Sequence, residues 1–349
     1  MPKRILIVRL SAIGDTIQST PVARQLKQLY PDCHLAWVVE PKALPGIKHN
    51  PHLDEVFVLE PRKLSSWRAL APKIRGKFDI TIDLQCLLKS GLVTALSASP
   101  IRIGRDDARE GAKMFYTRRM PTRRDHVYIS QHYLEQCSDL GLNIDDYVPE
   151  LFPSPEDQAA AARVWEELGL EGKHPVVALL PFSAEPTREW PTERFGQIGD
   201  RLAEEKGATC LIFGSPPEVP RAEALAAGMK HAPVIIAGKT SLGQAAALLA
   251  RCDLAVGNDS GLPHYAFALG TPVVCAMGPS TTRSAPTSDK AIGIWSACEF
   301  RPCRPSDPCK RGDGRPCLEE VTMEQMLKAA FQLLESHPRR VAVGDGTLG

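Results

Sequence analysis

Asn258, Asp259, Ser260 and Gly261 supply turn and N-cap chemistry inside LAVGNDSGLPHYAFALGTPVVCAMGPS, between a β-prone run and a small apolar helix that Gly270 ends. Such a turn belongs at the carboxyl end of a strand, where backbone N–H groups and the positive end of a helix suit a diphosphate. The plainer reading is that Asp259 only caps and Gly261 only turns. Spacing alone ranks capping above catalysis. In PFSAEPTREWP, residues 181–191, Ser183, Thr187 and Arg188 can face a phosphate from a loop that follows a strand, with Trp190 beneath them. A core Trp190 beside a solvated Arg188 is an equal alternative. Asp15 follows the small-residue loop Leu10-Ser11-Ala12-Ile13-Gly14 and has Gln18 three residues on. That is the spacing of a capping box, and on spacing alone it outranks a chemical role.

Glu218, in the turn GSPPE, can accept ribose hydroxyls or favour a helix N-terminus, and the second reading is preferred. Thr240 lies in a comparable turn, GKTSL. Basic residues gather in the first half: Arg62, Lys63, Arg68, Lys73, Arg75 and Lys77, then Arg102, Arg105, Arg109, Lys113, Arg118, Arg119, Arg123 and Arg124. Most basic runs are solvated faces. The second group is offset only by Asp106, Asp107 and Glu110, and Met114-Phe115-Tyr116 adds an exposed-looking aromatic step. It suits an acidic small molecule or lipid headgroup, held through bidentate arginine. Nucleic acid is not expected, since no helix-turn-helix, zinc finger or RNP signature is present and the formal charge is +1.

Cys298, Cys303, Cys309 and Cys317 fall in a proline- and arginine-rich loop without the paired CxxC of zinc sites. Reduced thiols, a structural zinc and an oxidation-sensitive pair stay open there, with a structural role preferred and no metal site assigned. The other six cysteines are scattered through expected helices and strands, which argues against a secreted disulfide scaffold.

The elements that must position these groups alternate strand and helix. β-prone runs are expected at residues 4–9, 34–39, 55–59, 79–83, 175–180, 209–213, 234–237, 254–257 and 271–277. Helices are expected at 15–30, 126–140, 156–168, 192–206, 264–269 and 321–336. Alternation of this kind makes doubly wound parallel sheets, and 349 residues suggest two of them. The expected division is an N-terminal Rossmann-like acceptor-binding domain over 1–152, a C-terminal Rossmann-like nucleotide-sugar-binding domain over 153–337, and a loose tail over 338–349. The loop after the first strand lacks GxGxxG and the chain lacks GxxxxGK[ST], which removes a dinucleotide fingerprint there and a P-loop. No apolar run reaches membrane-spanning length, and MPKRILIVRL leads straight into a strand. A cytoplasmic protein is expected, peripheral at most on the inner face of a membrane.

Together, RLSAIGDTIQSTP, IDLQCLLKS, TREWP, FGSPPE and NDSGLPHYAFALGTPVVCAMGP resemble glycosyltransferase family 9, the bacterial ADP-heptose lipopolysaccharide heptosyltransferases. The resemblance spans nearly the whole chain, and the order of WVVEP, IDLQCLLKSGLVTAL and DDAREGAKMFYTRR is nearest to heptosyltransferase I. It implies a GT-B architecture, two Rossmann-like domains across a cleft, and an inverting, metal-independent transfer. By that resemblance Asp15 is the general base. Ser183, Thr187, Arg188, Thr240, Asp259, Ser260, Gly261 and His264 bind the donor, Glu218 meets its ribose, and Arg188 also assists the leaving diphosphate. Arg188 stands where heptosyltransferase I has lysine, and Ser260 where threonine is usual. Gly14, Arg62, Lys63, Arg105, Arg109, Arg118 and Arg119 then serve a Kdo–lipid A acceptor, whose carboxylates and phosphates account for the arginines. No resident cofactor is implied, ADP-heptose being the donor substrate, and a monomer is expected. The alternatives are a family 9 transferase for another nucleotide sugar, a GT-B-like sugar-nucleotide epimerase, and a non-catalytic nucleotide-sugar or RNA-binding module. A donor panel separates the first two, and salt-dependent RNA binding without turnover identifies the last.

Overall fold

Runs such as RILIV and VVALL have no polar alternation, the pattern of strands covered on both faces. In the computed structural model these runs lie inside two parallel sheets. The structure describes residues 3–122, 128–280, 288–301, 303, 308–312 and 316–338. The chain divides into two compact units, Met1–Phe152 and Pro153–Gly349.

The first unit runs β1 (Arg4–Val8), α1 (Ile13–Gln18), α2 (Thr20–Leu29), β2 (His34–Val39), β3 (Glu55–Val58), α3 (Leu64–Ile74), β4 (Ile80–Asp83), α4 (Leu88–Ser97), β5 (Ile101–Arg105), β6 (Arg118–Met120) and α5 (Ile129–Glu135). Its described strands pair in the order β3-β2-β1-β4-β5-β6, all parallel. One face of the sheet carries an apolar layer that includes Val22 and Leu26 of α2 and Tyr133 and Leu134 of α5. The other carries Leu70 and Ile74 of α3 and Val93 of α4. Helices on both faces explain why β1 and β2 are apolar at nearly every position.

The second unit runs α6 (Pro155–Glu167), β7 (Val176–Leu180), α7 (Thr192–Lys206), β8 (Thr209–Ile212), α8 (Val219–Ala227), β9 (Val234–Ile235), α9 (Leu242–Leu249), β10 (Leu254–Asn258), α10 (Gly261–Ala268), β11 (Val273–Met277), β12 (Ala291–Trp295), α11 (Pro316–Glu319) and α12 (Met323–Ser336). Here the order is β12-β11-β10-β7-β8-β9, again all parallel. Local sequence sets the helix ends: Ser241 with Gln244 and Thr322 with Gln325 form capping boxes at α9 and α12.

Several boundaries differ from the sequence expectation. The helix expected over 15–30 begins earlier, at Ile13, and is interrupted at Ser19, whose hydroxyl bonds back to the carbonyls of Asp15 and Thr16. The helix expected over 126–140 is the short α5 followed by a tight turn at Ser138–Leu140. Its first residues lie outside the described ones, as do Arg123 and Arg124 and the tail beyond Pro338. β5, β6 and β12 were not expected. The first two contain Arg102, Arg105, Arg118 and Arg119, so a charge cluster in sequence is partly a pair of strands in space.

Candidate functional site

In the first unit the strand order sets the carboxyl ends of β1, β4 and β5 side by side. Asp15 follows β1 and sits in the first turn of α1, after the N-cap residue Ala12. The capping box expected of Asp15 and Gln18 therefore does not form: α1 has no side-chain cap, and Gln18 instead accepts from Ser130 Oγ at 2.7 Å. Because the helix starts two residues ahead of it, the Asp15 carboxylate is not drawn onto backbone N–H groups. Arg9 Nη2 meets its Oδ2 at 2.6 Å, and Tyr133 donates its hydroxyl to Oδ1 at 3.3 Å. Arg9 is anchored in turn by Leu84 O and lies over the Tyr133 ring. Burial pushes the Tyr133 phenol up, so it stays a proton donor. The Asp15 side chain itself is 44% exposed, against 8% for Arg9. A Cβ added at Gly14 would meet nothing within 4 Å. The result is an oriented carboxylate with open space beside it.

A buried network links the neighbouring strand ends. Asp83, at the end of β4, accepts the N–H groups of Gln85 and Cys86 and the Tyr116 hydroxyl at 2.8 Å. Burial raises the Asp83 carboxyl, and the same bonds oppose the rise. Gln85 accepts the Leu10 N–H, while Lys89 donates to Ser11 Oγ at 3.0 Å and pairs with Glu40. The loop before Asp15 is thus held from β4 and α4. Tyr116 is buried, contrary to the exposed aromatic step expected at 114–116; of the three, Met114 alone is exposed, while Phe115 is half-buried. Tyr116 lies so close to Gly104 that a Cβ would come within 2.1 Å of its ring. Gly104→Ala is expected to expel Tyr116 from Asp83 and destabilise this unit by about 1–3 kcal/mol. Urea melts checked against tyrosine fluorescence would read this; an unchanged midpoint would contradict it.

The acceptor residues expected from the sequence are not one patch. Gly14, Arg105 and Arg109 fall at neighbouring strand ends, Arg105 held by Asp107 at 2.9 Å and Arg109 by its own N–H on Cys86 O. Burial would lower the Arg105 guanidinium, but Cys86 and Asp107 outweigh it and raise it. Arg62 and Lys63 follow β3, with Lys63 on Glu60 at 2.6 Å. Arg118 and Arg119 are on the edge strand β6, opposite Ile103 and Gly104, and Arg118 reaches Asp139 at 3.7 Å. Arg9, Tyr133, Gln85 and Lys89 were not singled out by sequence reasoning. Only Arg9 carried a signal, a charge closing an otherwise apolar strand.

In the second unit β10 and β7 are neighbours, and their carboxyl ends carry Asp259 and the loop with Arg188. Asn258 is fully buried, donating to Pro181 O and accepting the Trp190 N–H, both at 2.8 Å, so one side chain joins the two loops. Trp190 is core, edge-on to Phe195, with its indole N–H on Val321 O. Arg188 is not solvated: Nη1 lies 3.2 Å from Asp259 Oδ2 and its side chain is 28% exposed. Ser280 donates to the same Oδ2, and His264 Nε2 lies 3.3 Å from Oδ1. Burial alone would raise the Asp259 carboxyl; His264, Ser280 and Arg188 together pull it below the usual range.

Asp259 does not cap α10, as spacing suggested it would. Ser260 is the N-cap and its side chain makes no capping bond, and the Asp259 carboxylate is turned inward to Ser280, Arg188 and His264. With its side chain 1% exposed, Asp259 positions Arg188 and His264. The start of α10 is left with N–H groups lacking a side-chain acceptor, and a Cβ at Gly261 would meet nothing within 4 Å. Thr187 Oγ1 and Arg188 Nε are buried without hydrogen-bond partners. Donors of this kind around a helix N-terminus form a site for an anion.

Ser183 N and Arg221 both bond Glu189, the latter bidentately at 3.0 and 2.6 Å, which stiffens the Arg188 loop. Glu218 Oε2 accepts Ser215 N and Oγ, the helix-start role preferred from the sequence. Thr240 precedes the Ser241 cap of α9, after β9 at the far edge of the sheet. Cys298, Cys303 and Cys309 are partly buried and Cys317 is buried. Burial first, then the three other thiols, raises Cys317. Among the described residues no three His, Cys, Asp or Glu side chains are grouped to hold a metal ion.

The description of glycosyltransferase family 9 (heptosyltransferase) matches residues 67–310. Lipooligosaccharide heptosyltransferase 2 of Haemophilus influenzae is 28% identical, over 95% of this chain and 99% of its own. Lipopolysaccharide heptosyltransferase 1 of Pseudomonas aeruginosa is 29% identical over 79% of each chain. A solved family 9 glycosyltransferase from Veillonella parvula superposes with a TM-score of 0.80 at 25% identity, covering 96% of this chain and 97% of that one. The Escherichia coli ADP-heptose lipopolysaccharide heptosyltransferase II shares the fold at a TM-score of 0.71 and 24% identity, over 95% and 99% of the two chains. The two sheets with flanking helices agree with these neighbours.

Proposed function

This chain belongs to glycosyltransferase family 9, and from that membership we propose an inverting transfer of heptose from ADP-heptose to the Kdo–lipid A inner core of lipopolysaccharide. The observation that supports it is the Arg188–Asp259–His264 constellation at the uncapped start of α10, beside the unpartnered Thr187 hydroxyl. An ADP diphosphate supplies the negative charge those donors lack.

In the proposed reaction the acceptor hydroxyl oxygen bonds to the anomeric carbon as the bond from that carbon to the diphosphate oxygen breaks. The electron pair leaves on the diphosphate, and the hydroxyl proton passes to Asp15, which acts as general base. Arg188 and the N–H groups of α10 neutralise the departing charge, so the step draws on no metal and no resident cofactor. Glu218 and Thr240 complete the donor site, and Ser183, Ser260 and Gly261 line it. Gly14, Arg62, Lys63, Arg105, Arg109, Arg118 and Arg119 are proposed for the acidic acceptor. The chain works as a monomer in the cytoplasm, peripheral on the inner membrane.

Relatives of type 1 and type 2 match at nearly equal identity, so the acceptor is the point to test. Kdo–lipid A and its already heptosylated form should be offered with ADP-heptose and with other nucleotide sugars. Product is expected only from ADP-heptose and Kdo–lipid A. Transfer solely to the heptosylated acceptor would move the chain to the type 2 reaction, and transfer from another nucleotide sugar would refute the donor. Arg109→Glu, at an exposed position, is expected to raise the acceptor KM about tenfold with donor KM unchanged. A selective donor effect would remove it from the acceptor site.

A further inference from the structure

Among the described residues no helix is long and apolar enough to cross a membrane, yet the first unit carries exposed apolar side chains in a pattern that single surface residues do not explain. Leu64 is 63% exposed, Met114 70%, Leu88 43% and Leu92 42%. They belong to three adjoining elements. α3 and α4 both follow strands of one parallel sheet, so both start at its carboxyl edge, the edge that carries Asp15. Both pack on the same apolar layer, α3 through Leu70 and Ile74 with Trp67, α4 through Val93 with Leu96.

Leu64 opens α3, one turn before Trp67, and Leu88 opens α4, one turn before Leu92. The turn holding Met114 is fitted against α4: Glu110 accepts the Leu88 N–H at 3.1 Å, and a Cβ at Gly91 would come within 2.7 Å of Phe115. The charge around this corner is mostly positive, with Glu110 the carboxylate that meets it at Leu88. Residues 61–77 contain six lysines and arginines and no acidic residue, and Lys113 adds another beside Met114. Glu60, just outside, offsets Lys63 alone.

We propose that this corner, the first turns of α3 and α4 with the Lys113–Met114 turn, docks on the surface of an anionic lipid bilayer. Apolar side chains enter the headgroup layer while the surrounding lysines and arginines meet lipid phosphates, the division of labour of interfacial amphipathic surfaces. A nucleic-acid partner would use the charge but leave the exposed leucines and methionine without a function. The proposal rests on the membrane-borne acceptor proposed above, and it places the lipid surface at the strand edge where Asp15 opens.

Flotation of the full chain with vesicles of phosphatidylglycerol and phosphatidylethanolamine, containing no lipopolysaccharide, tests it apart from the reaction. The chain is expected to float with these vesicles, to remain behind with phosphatidylcholine alone, and to be released by salt. Leu64→Ser with Met114→Ser is expected to weaken binding about tenfold. Arg68→Glu with Lys113→Glu should do so by about fivefold or more per charge. ADP binding and transfer to a delipidated acceptor should stay unchanged in both variants. A chain that does not float, or floats equally well with both double substitutions, overturns the proposal. So does a wild-type dimer that the substitutions dissociate, which would make the corner an interface between two copies. Failure of the transfer reaction with intact flotation would instead count against the acceptor reading alone.

Discussion

Asp15→Ala is expected to lower kcat by about a thousandfold, within the range typical of losing a positioned general base. ADP binding should remain within about twofold, since no donor residue changes. Asp15 is oriented from two sides by groups whose own geometry is fixed: Arg9, tied to Leu84 O, and Tyr133, buried against Arg9. Its exposure and the empty space beside Gly14 leave the carboxylate reachable by a hydroxyl. Asp15→Asn keeps the shape and the Tyr133 hydrogen bond but cannot take a proton, so it should be nearly as inactive as alanine. Single-turnover transfer at saturating donor and acceptor, with ADP titrations alongside, separates chemistry from binding. If Asp15→Asn kept near-normal turnover, the base would lie elsewhere. If both variants lost ADP binding to the same degree as turnover, Asp15 would be a structural residue.

The reach of the sequence differs between fold and site for a physical reason. β1, β2, β7, β10 and β11 are covered on both faces, and burial on both faces demands continuous apolar runs that are legible by eye. β5 and β6 lie toward an edge, where Arg118 and Arg119 are exposed and Arg102 and Arg105 are held by local acceptors, so their strand character was masked by charge. At the site, helix-start chemistry was overestimated. Asp15 and Asp259 both have capping spacing, yet neither caps, because partners outside their own helices take the carboxylates: Arg9 and Tyr133 for one, Arg188 and Ser280 for the other. Glu218, whose rival partner is its own neighbour Ser215, does what local spacing says. Contacts between residues more than a hundred positions apart, such as Tyr133 with Asp15, have no local signature at all.

Arg188→Ala is expected to weaken ADP-sugar binding about tenfold and to lower kcat about a hundredfold, the size of effect seen when one preorganised donor to a developing oxyanion is lost. The two effects differ because charge on the diphosphate grows as the glycosidic bond breaks, so an interaction with it is worth more in the transition state than with bound substrate. Arg188 is built for this. Asp259 holds Nη1 from behind, while Nε is buried with no partner of its own and one face of the side chain is open. The alanine substitution also removes one of the three side chains on a buried carboxylate. His264 and Ser280 remain on Asp259, so the unit should still fold, with a modest fall in melting temperature. Arg188→Lys separates the two consequences. Lysine restores the charge as a point but not the planar fork that spans Asp259 and a phosphate. Stability should return nearly to wild type, donor binding partly, and kcat least. Isothermal titration with ADP, thermal melts and saturating kinetics on the two variants would show that order. If alanine lowered the melting temperature while donor affinity and kcat stayed unchanged, Arg188 would be only the counter-charge of Asp259. The helix N-terminus of α10 would then have to carry the leaving diphosphate without it.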